Sequence, residues 1–564
     1  MKPRLTRSTG RVPIRREVRD LQKNFPDQWN VYILGLRSFQ MADQTDPVSF
    51  YQITGIHGRP YIPWQKAEGI PGKKSGYCPH SNTMFLSWHR AYLALYEQEL
   101  YKHIQRVSLQ FPAFLRGRYT SAADEFRIPY WDWALGDKGG SVPEAFTTPT
   151  AKVIGFNGQE QIISNPLHHY EFHPLVPGDF TEEWASINST VRWPDSNHAD
   201  CTSQQWKFIK NFNDQRRSFQ DQVSQGFAVA EDMNSFSMHH LELVHGNVHY
   251  AIGGTPPDNP WQGHMWPLEY SAFEPLFMLH HCNVDRLFAL WQGVNPDKYV
   301  EPRSVFSSGT YTIADNTVVD ADTPLLPFWN TTTTFWTSNA VKDTTVLGYA
   351  YPETMSWMFD SKDAYRASVN ASISQLYSSS SRARLSEMGA EGGDLKHLNA
   401  DGSFTDWSIN VEASLIDMPT TFTVRFSLVG MFSSDPVSSI GAWTHLMPSD
   451  HTMDRSTAKR DSTLDPRLKG TISLTATLLD DIAARKLESL DEGIVVPYLK
   501  SKLTWKVYAG NGMLIPHGRL QSLTVQVISR RVHIPTDPKL RMEYSDISTP
   551  HLEITSNKGG EVKA

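Results

Sequence analysis

The residues in this chain best suited to chemistry are histidines that fall in short clusters. The densest stretch is Met238-His239-His240-Leu241-Glu242-Leu243-Val244-His245-Gly246-Asn247-Val248-His249. Read as a helix, it brings Glu242, His245 and His249 to one face at i, i+3 and i+7. Two imidazoles four residues apart can grip one metal ion from a rigid support. Further candidates are His57 between Gly55 and Gly58, His80 in Cys78-Pro79-His80, and His89 nine residues on. His281 lies in Phe277-Met278-Leu279-His280-His281-Cys282-Asn283-Val284-Asp285-Arg286.

The elements that must position these groups are mostly helical. Trp29, Tyr32, Ile33, Leu36 and Phe39 fall at helical spacing over 26–41. Asp46-Pro47 would cap a helix running to Gly55, with His57 where it ends, and a lone histidine there reads more simply as a C-cap. Phe85, Trp88, His89, Tyr92, Leu93, Tyr96 and Leu100 share one face over 82–104, which turns His89 inward and leaves His80 on the loop before it. Pro275 suits the first turn of a helix in which Phe277, His281, Asp285 and Phe288 share a face. Asp285, one turn past His281, is placed to accept that imidazole's second N–H. Residues 136–235 are Pro- and Gly-punctuated and read as loops.

At 564 residues the chain exceeds one ordinary core, so two domains are expected. A net charge of -7 argues against a nucleic-acid partner, and no apolar run reaches the roughly 20 residues of a membrane span. The Arg-rich residues 1–23 lack the apolar core of a secretory signal, and Cys78, Cys201 and Cys282 cannot form a disulfide framework. A cytoplasmic protein is therefore expected. Past Tyr349-Ala350-Tyr351-Pro352 the texture changes. Residues 377–394 read as an exposed, protease-sensitive stretch within a linker over 356–400. Period-two alternation over 421–430, 471–478, 503–508 and 523–534 predicts an antiparallel β domain over 401–564. The histidine clusters place the chemistry in residues 1–355.

Three neutral imidazoles per ion suit copper, zinc or iron, and the Irving–Williams order favours copper for an all-nitrogen site. Two such sets, His57/His80/His89 and His245/His249/His281, favour a dinuclear centre. Glu242-x-x-His245 is half of a di-iron signature, but the second such motif and the further glutamates are missing. A dizinc hydrolase would need a bridging carboxylate and a base that neither set supplies.

Gly55-Ile56-His57-Gly58, Cys78-Pro79-His80, Phe85-Leu86-Ser87-Trp88-His89-Arg90, His245-x3-His249 and the His280-His281 segment resemble, in order, the type 3 copper proteins, most of all fungal tyrosinases and catechol oxidases. The resemblance covers about residues 10–355. It implies a mainly α catalytic domain, a four-helix bundle holding two copper ions, with His57, His80 and His89 on one and His245, His249 and His281 on the other. Between the adjacent pair, His281 keeps the His-x3-Asp spacing and His280 is a neighbour. Dioxygen is the implied co-substrate, and small phenols or catechols leave as o-quinones after stacking near His249 or Phe277. A thioether from Cys78 to His80 and a tyrosine motif, Tyr349-x-Tyr351, paired with Arg15 or Arg16, are also implied. Glu242 matches the glutamate that holds the water deprotonating a monophenol. The asparagine that accompanies it in the family is Gly246 here, and Asn247 is turned about 100° round the helix. Catechol oxidation is thus the expected main activity. Glu274-Pro275 stands where the family has Asp-Pro. The family also implies that the β domain shields the site, with Phe426, Met431 or Phe432 in the pocket and an activating protease cutting the linker. The alternative is a hemocyanin-like dioxygen carrier without turnover.

Overall fold

The computed structural model describes residues 11–305, 309–390, 401–430, 438–448, 467–537 and 539–560. Helices form where the apolar spacing predicts them, and local chemistry sets their ends. Pro26–Gln40 begins on its proline and buries Val31, Tyr32, Ile33, Leu36 and Phe39. It packs along Phe85–Leu109, and at Gly35 a Cβ would stand only 2.3 Å from Ile104 Cγ1. Glycine is what lets these two backbones approach. The helix expected after Asp46 is shorter: Phe50–Gly55 is capped by Ser49, whose side chain accepts from Gln52 N at 3.2 Å. Leu276–Val294 follows Pro275 and is buried along most of its length. Glu242–Gly253 continues from a π-helical turn, Phe236–Leu241, and all 12 of its residues are buried.

Residues 136–235, expected as loops, contain the 25-residue helix Gln205–Val229. Its apolar stripe is thin: Phe208, Phe212, Phe219, Val223 and Phe227 are buried alongside Gln220, Asp221 and Gln222. A helix whose inward face is partly polar shows little periodicity. Further polar positions on this helix meet the second domain, where Arg217 pairs with Asp480 and Gln225 Oε1 accepts from Arg530 Nη2 at 3.1 Å, and the helix also packs against Glu242–Gly253.

Among the described residues, the β domain is built from two four-stranded sheets. One runs in the order Arg467–Ser473, Ser403–Ser414, Thr524–His533, Glu543–Pro550, and the other Leu514–Ile515, Leu503–Ala509, Phe422–Leu428, Ser438–His445. Neighbouring strands are antiparallel throughout. Alternate residues such as Trp407, Ile409, Val424, Phe426, Trp505 and Val527 form the core, as a period of two demands. The strand expected over 471–478 stops at Ser473, and Thr475–Ala483 is helical. Leu474 and Leu478, four apart and both buried, are a helical pair that the alternating threonines disguise.

The stretch 377–394 is not the exposed linker expected. Lys362–Tyr377 and Ser380–Ala390 are helices, and Ser379, Ser380, Ser381 and Leu385 are buried. Ser380 donates its N–H and hydroxyl to Asp221 at 2.7 and 2.5 Å. The buried carboxylate thus caps the second helix from outside it. Residues 391–394 lie outside the described residues.

Candidate metal centre

The six expected ligands gather in one buried cluster. His57 follows Phe50–Gly55, His80 sits on the loop before Phe85–Leu109, and His89 lies in that helix. Their ring centroids are 5.5 Å (His57–His80), 5.6 Å (His57–His89) and 5.6 Å (His80–His89) apart. In the second set, His245 is 4.4 Å from His249 and 4.9 Å from His281. The sets meet where His89 stacks on His281 at 4.3 Å and His80 faces His245 at 5.8 Å.

Main-chain carbonyls fix the ring orientations. Nδ1 of His57 donates to Leu268 O at 3.0 Å, of His89 to Phe85 O at 2.8 Å, of His245 to Glu242 O at 3.2 Å and of His249 to Met265 O at 2.7 Å. Each bond leaves Nε2 as the lone-pair nitrogen. Those four Nε2 atoms, and both ring nitrogens of His80 and His281, are buried without a partner among the described residues. An unpaired buried polar group costs roughly 1–3 kcal/mol, so such a cluster calls for something to satisfy it. Burial lowers His89 to about 3 and His249 to about 4, and holds His57, His80, His245 and His281 well below the usual imidazole range. All six are neutral at pH 7, the state a metal requires. Potential donor atoms of His245, His249, His280 and His281 lie within 4.8 Å of one another, as do those of His57, Cys78 and His80. An all-imidazole donor set of this kind fits copper.

His281 is the member of the adjacent pair that spans both sets, touching His89 and, at 6.4 Å, His57. His280 packs between His245 at 5.1 Å and Trp133 at 5.7 Å. Asp285 does not accept from His281, as its spacing had suggested. Arg90 Nε (2.6 Å), Arg15 Nη1 (3.2 Å) and the hydroxyls of Tyr349 and Tyr351 (2.6 Å each) all donate to it instead. Helical spacing put Asp285 on the right turn, but four stronger donors from distant segments claim its oxygens. The arginine paired with the tyrosine motif is Arg15, whose guanidinium lies 3.5 Å over the Tyr349 ring.

Phe277 is fully buried in the cluster, 4.2 Å from His281 and 4.8 Å from His57. Sequence reasoning missed its counterpart Phe85, which lies 4.7 Å from His89 and 5.1 Å from His245. Its only signal was a place on the helical face that carries His89. Glu242 Oε1 accepts from Ser81 N at 2.6 Å, Oε2 has no partner among the described residues, and burial pushes the carboxyl up to about 8. Glu274 pairs with Arg192 and accepts from Leu276 N at 2.8 Å, bracing the start of the helix that carries His281. Beside Gly246, a Cβ would meet Thr444 at 3.3 Å and Leu446 at 3.5 Å. Asn247 is turned away from the cluster and donates to Gln222 Oε1 and Ala442 O.

Among the described residues, the β-domain segment that reaches the site is Thr444-His445-Leu446. Leu446 is buried in the helical domain's core, and His445 Nε2 is hydrogen-bonded to Ser81 Oγ at 2.6 Å. Phe426, one expected pocket residue, is instead inside the β-domain core 6.3 Å from Trp505. Its inward place on Phe422–Leu428 follows from the strand's alternation. Met431 and Phe432 lie outside the described residues.

Residues 47–294 match the family model of the common central domain of tyrosinase, and residues 406–527 match that of the tyrosinase C-terminal domain. A tyrosinase of Neurospora crassa is 33% identical over an alignment covering 98% of this chain and 96% of its own. A tyrosinase of Podospora anserina is 34% identical, covering 85% of this chain and 95% of its own. Among solved structures, a recombinant mushroom tyrosinase superposes with a TM-score of 0.80 at 26% identity, covering 96% of this chain and 97% of its own. Another structure, of latent and active mushroom tyrosinase, gives 0.79 at 26% identity, with 96% of each chain covered.

Proposed function

The chain belongs to the tyrosinase family, and from that premise we propose that it is a latent catechol oxidase whose β domain must be displaced before substrate enters. Membership makes it a polyphenol oxidase. The observation that carries the copper reading is the cluster of buried imidazoles, the six expected ligands and His280, with ring nitrogens that have no partner among the described residues. His57, His80 and His89 would hold one copper, and His245, His249 and His281 the other. Bound copper would supply the electron transfer between an o-diphenol and dioxygen.

The chain's own residues do the rest. Phe85 and Phe277 surround the imidazoles with apolar rings, and Phe277, beside His249 and His281, offers a face to a flat ring. Asp285 joins the helices of His89 and His281, so the two sets hold their separation. The closeness of Cys78 to His80 supports a thioether that would pin the loop. Glu242, poised near neutrality, suits the handling of a phenolic proton. The position that would share its water is Gly246, and Asn247 faces elsewhere, which favours catechols over monophenols. Latency is supported by Leu446 in the helical core, by the His445–Ser81 contact, and by a relative known in latent and active forms.

The experiment is oxygen consumption with a catechol and with its monophenol, before and after a protease has removed the β domain. With copper kept in the assay buffer, so that metal loss does not mask the opened site, catechol turnover should rise severalfold on removal, with the monophenol slow in both states. Reversible dioxygen binding without turnover would return the carrier reading, and equal rates on both substrates would overturn the diphenol preference.

A further inference from the structure

We infer that the β domain also buttresses the His245/His249 half of the metal centre: it forms one wall of the helix carrying both ligands and anchors the loop that orients His249. The naming of the metal rests on the function proposed above. At 100° per residue, Glu242–Gly253 has three faces. Val244, Val248, Ala251 and Ile252 belong to the helical domain's core, while His245 and His249 face the metal site. The third face is Leu243, Gly246, Asn247 and Tyr250, and each of these residues meets the β domain. Leu243 is part of the β-domain core. Gly246 has Thr444 and Leu446 against it, and Asn247 donates to Ala442 O at 2.9 Å. Arg425 lies over the ring of Tyr250 at 4.7 Å and pairs with Asp258 at 2.6 Å.

The loop behind His249 is tied to the same domain. Thr255 Oγ1, Gln262 Nε2 and Trp266 Nε1 all donate to one β-domain carbonyl, Gly510 O, at 3.3, 3.0 and 2.9 Å. Met265, next to Trp266, supplies the carbonyl that orients His249.

The other half is supported differently. His89 takes its orienting carbonyl from its own helix, which packs on Pro26–Gln40, whereas His57 takes its carbonyl from Leu268, two residues past Trp266 on the anchored loop, so His89 is the ligand held apart from the β domain. The β domain reaches that half at Ser81, beside His80. A helix of 12 residues with a glycine at its centre is marginal without packing. Loss of one wall should therefore loosen His245 and His249 well before His89.

The test uses the full-length chain with Arg425→Ala or Leu446→Ala, and Val527→Ala as a lesion of the β core away from the helix. Hydrogen exchange is followed in the metal-free chain over 242–253 and 85–109, and copper retention during dialysis against a chelator. Both interface variants should speed exchange over 242–253 but not over 85–109. One of two coppers should leave about tenfold sooner than in the unaltered chain. Val527→Ala should leave the order of loss unchanged. Equal gains in exchange in both helices, or joint loss of both coppers in Arg425→Ala, would overturn the inference. Arg425 is partly exposed, so that variant decides the matter should Leu446→Ala fail to fold. An unaltered chain that takes up fewer than two coppers would refute the dicopper reading, and the exchange comparison would still decide the buttress.

Discussion

The helical domain and the β domain bury different things. The first encloses Arg15, Arg90, Arg127, Arg192 and Arg286 with Asp132, Glu274 and Asp285, in addition to its histidines. The second is centred on Trp407, Val424, Phe426, Trp505 and Val527, and the buried carboxylate among its described residues is Asp406. A purely apolar core is the simpler route to stability, because desolvating ion pairs can cost more than their attraction returns. The helical domain accepts that cost where a contact must hold one geometry. Asp285 alone ties the chain's start (Arg15), the helix of His89 (Arg90) and the close of the domain (Tyr349, Tyr351) to the helix of His281.

The sharpest way to break this contrast is to remove a buried polar group that holds metal and one that does not. His281→Ala should lower catechol turnover by more than about a hundredfold, because several kcal/mol of metal-derived stabilisation would go with it. His280→Phe keeps an aromatic ring between His245 and Trp133 and should retain two coppers by elemental analysis. Copper loss in His280→Phe and retention in His281→Ala would reverse the assignment.

Next in size is the removal of a buried carboxylate charge from each domain. Burial pushes Asp285 up, but Arg90, Arg15 and the two tyrosine hydroxyls outweigh it and hold the carboxyl below its usual range. Its contribution is present above the unfolded value of about 4 and is lost as pH falls through the depressed folded value. Asp285→Asn should therefore cost about 3–5 kcal/mol at pH 7, by strand- and helix-resolved denaturant unfolding, and less below pH 4. Asp406 is raised by burial, against Arg530 and Thr475. Its linkage has the opposite sign, favouring the fold at low pH and weakening as pH rises. Asp406→Asn should stay within about 1 kcal/mol at pH 7. Equal costs would erase the distinction between the two cores.

The same contrast governs what was legible in the sequence. His245 and His249 were readable because helical spacing alone places them, and His281 because it lies on one apolar face with Phe277. His57 and His80 are held by tertiary contacts, so no helical spacing marked them: His80 was drawn in by lying nine residues before His89, and His57 gained its weight from the motif order. The partners of Asp285 come from residues 15, 90, 349 and 351, a convergence that no local pattern encodes. Gln205–Val229 was missed because its polar face is an interface, and Ser380–Ala390 because its start is capped by Asp221 from another helix. Leu446 was missed for a similar reason: it follows the last residue of its strand, so alternation ends before it.

The smallest effects come from one substitution made in both domains. Gly35 lies inside Pro26–Gln40, where helix propensity by itself would favour alanine. An added Cβ there would stand 2.3 Å from Ile104 Cγ1 and 3.2 Å from Ile104 Cα, so the helices must part or Ile104 must leave its rotamer. Overpacking of this kind costs about 1–3 kcal/mol, which exceeds the gain in propensity. Gly493 lies near the start of Glu492–Lys502 with nothing within 4 Å of an added Cβ. Alanine there loses no contact and narrows the unfolded ensemble, a gain of about 0.4–1 kcal/mol. Gly35→Ala should thus lower the unfolding midpoint and Gly493→Ala raise it. Hydrogen exchange should assign the loss to Pro26–Gln40 and Phe85–Leu109, and the gain to Glu492–Lys502. A Gly35→Ala chain as stable as the unaltered one would mean that the crossing of these two helices is looser than its 2.3 Å approach implies.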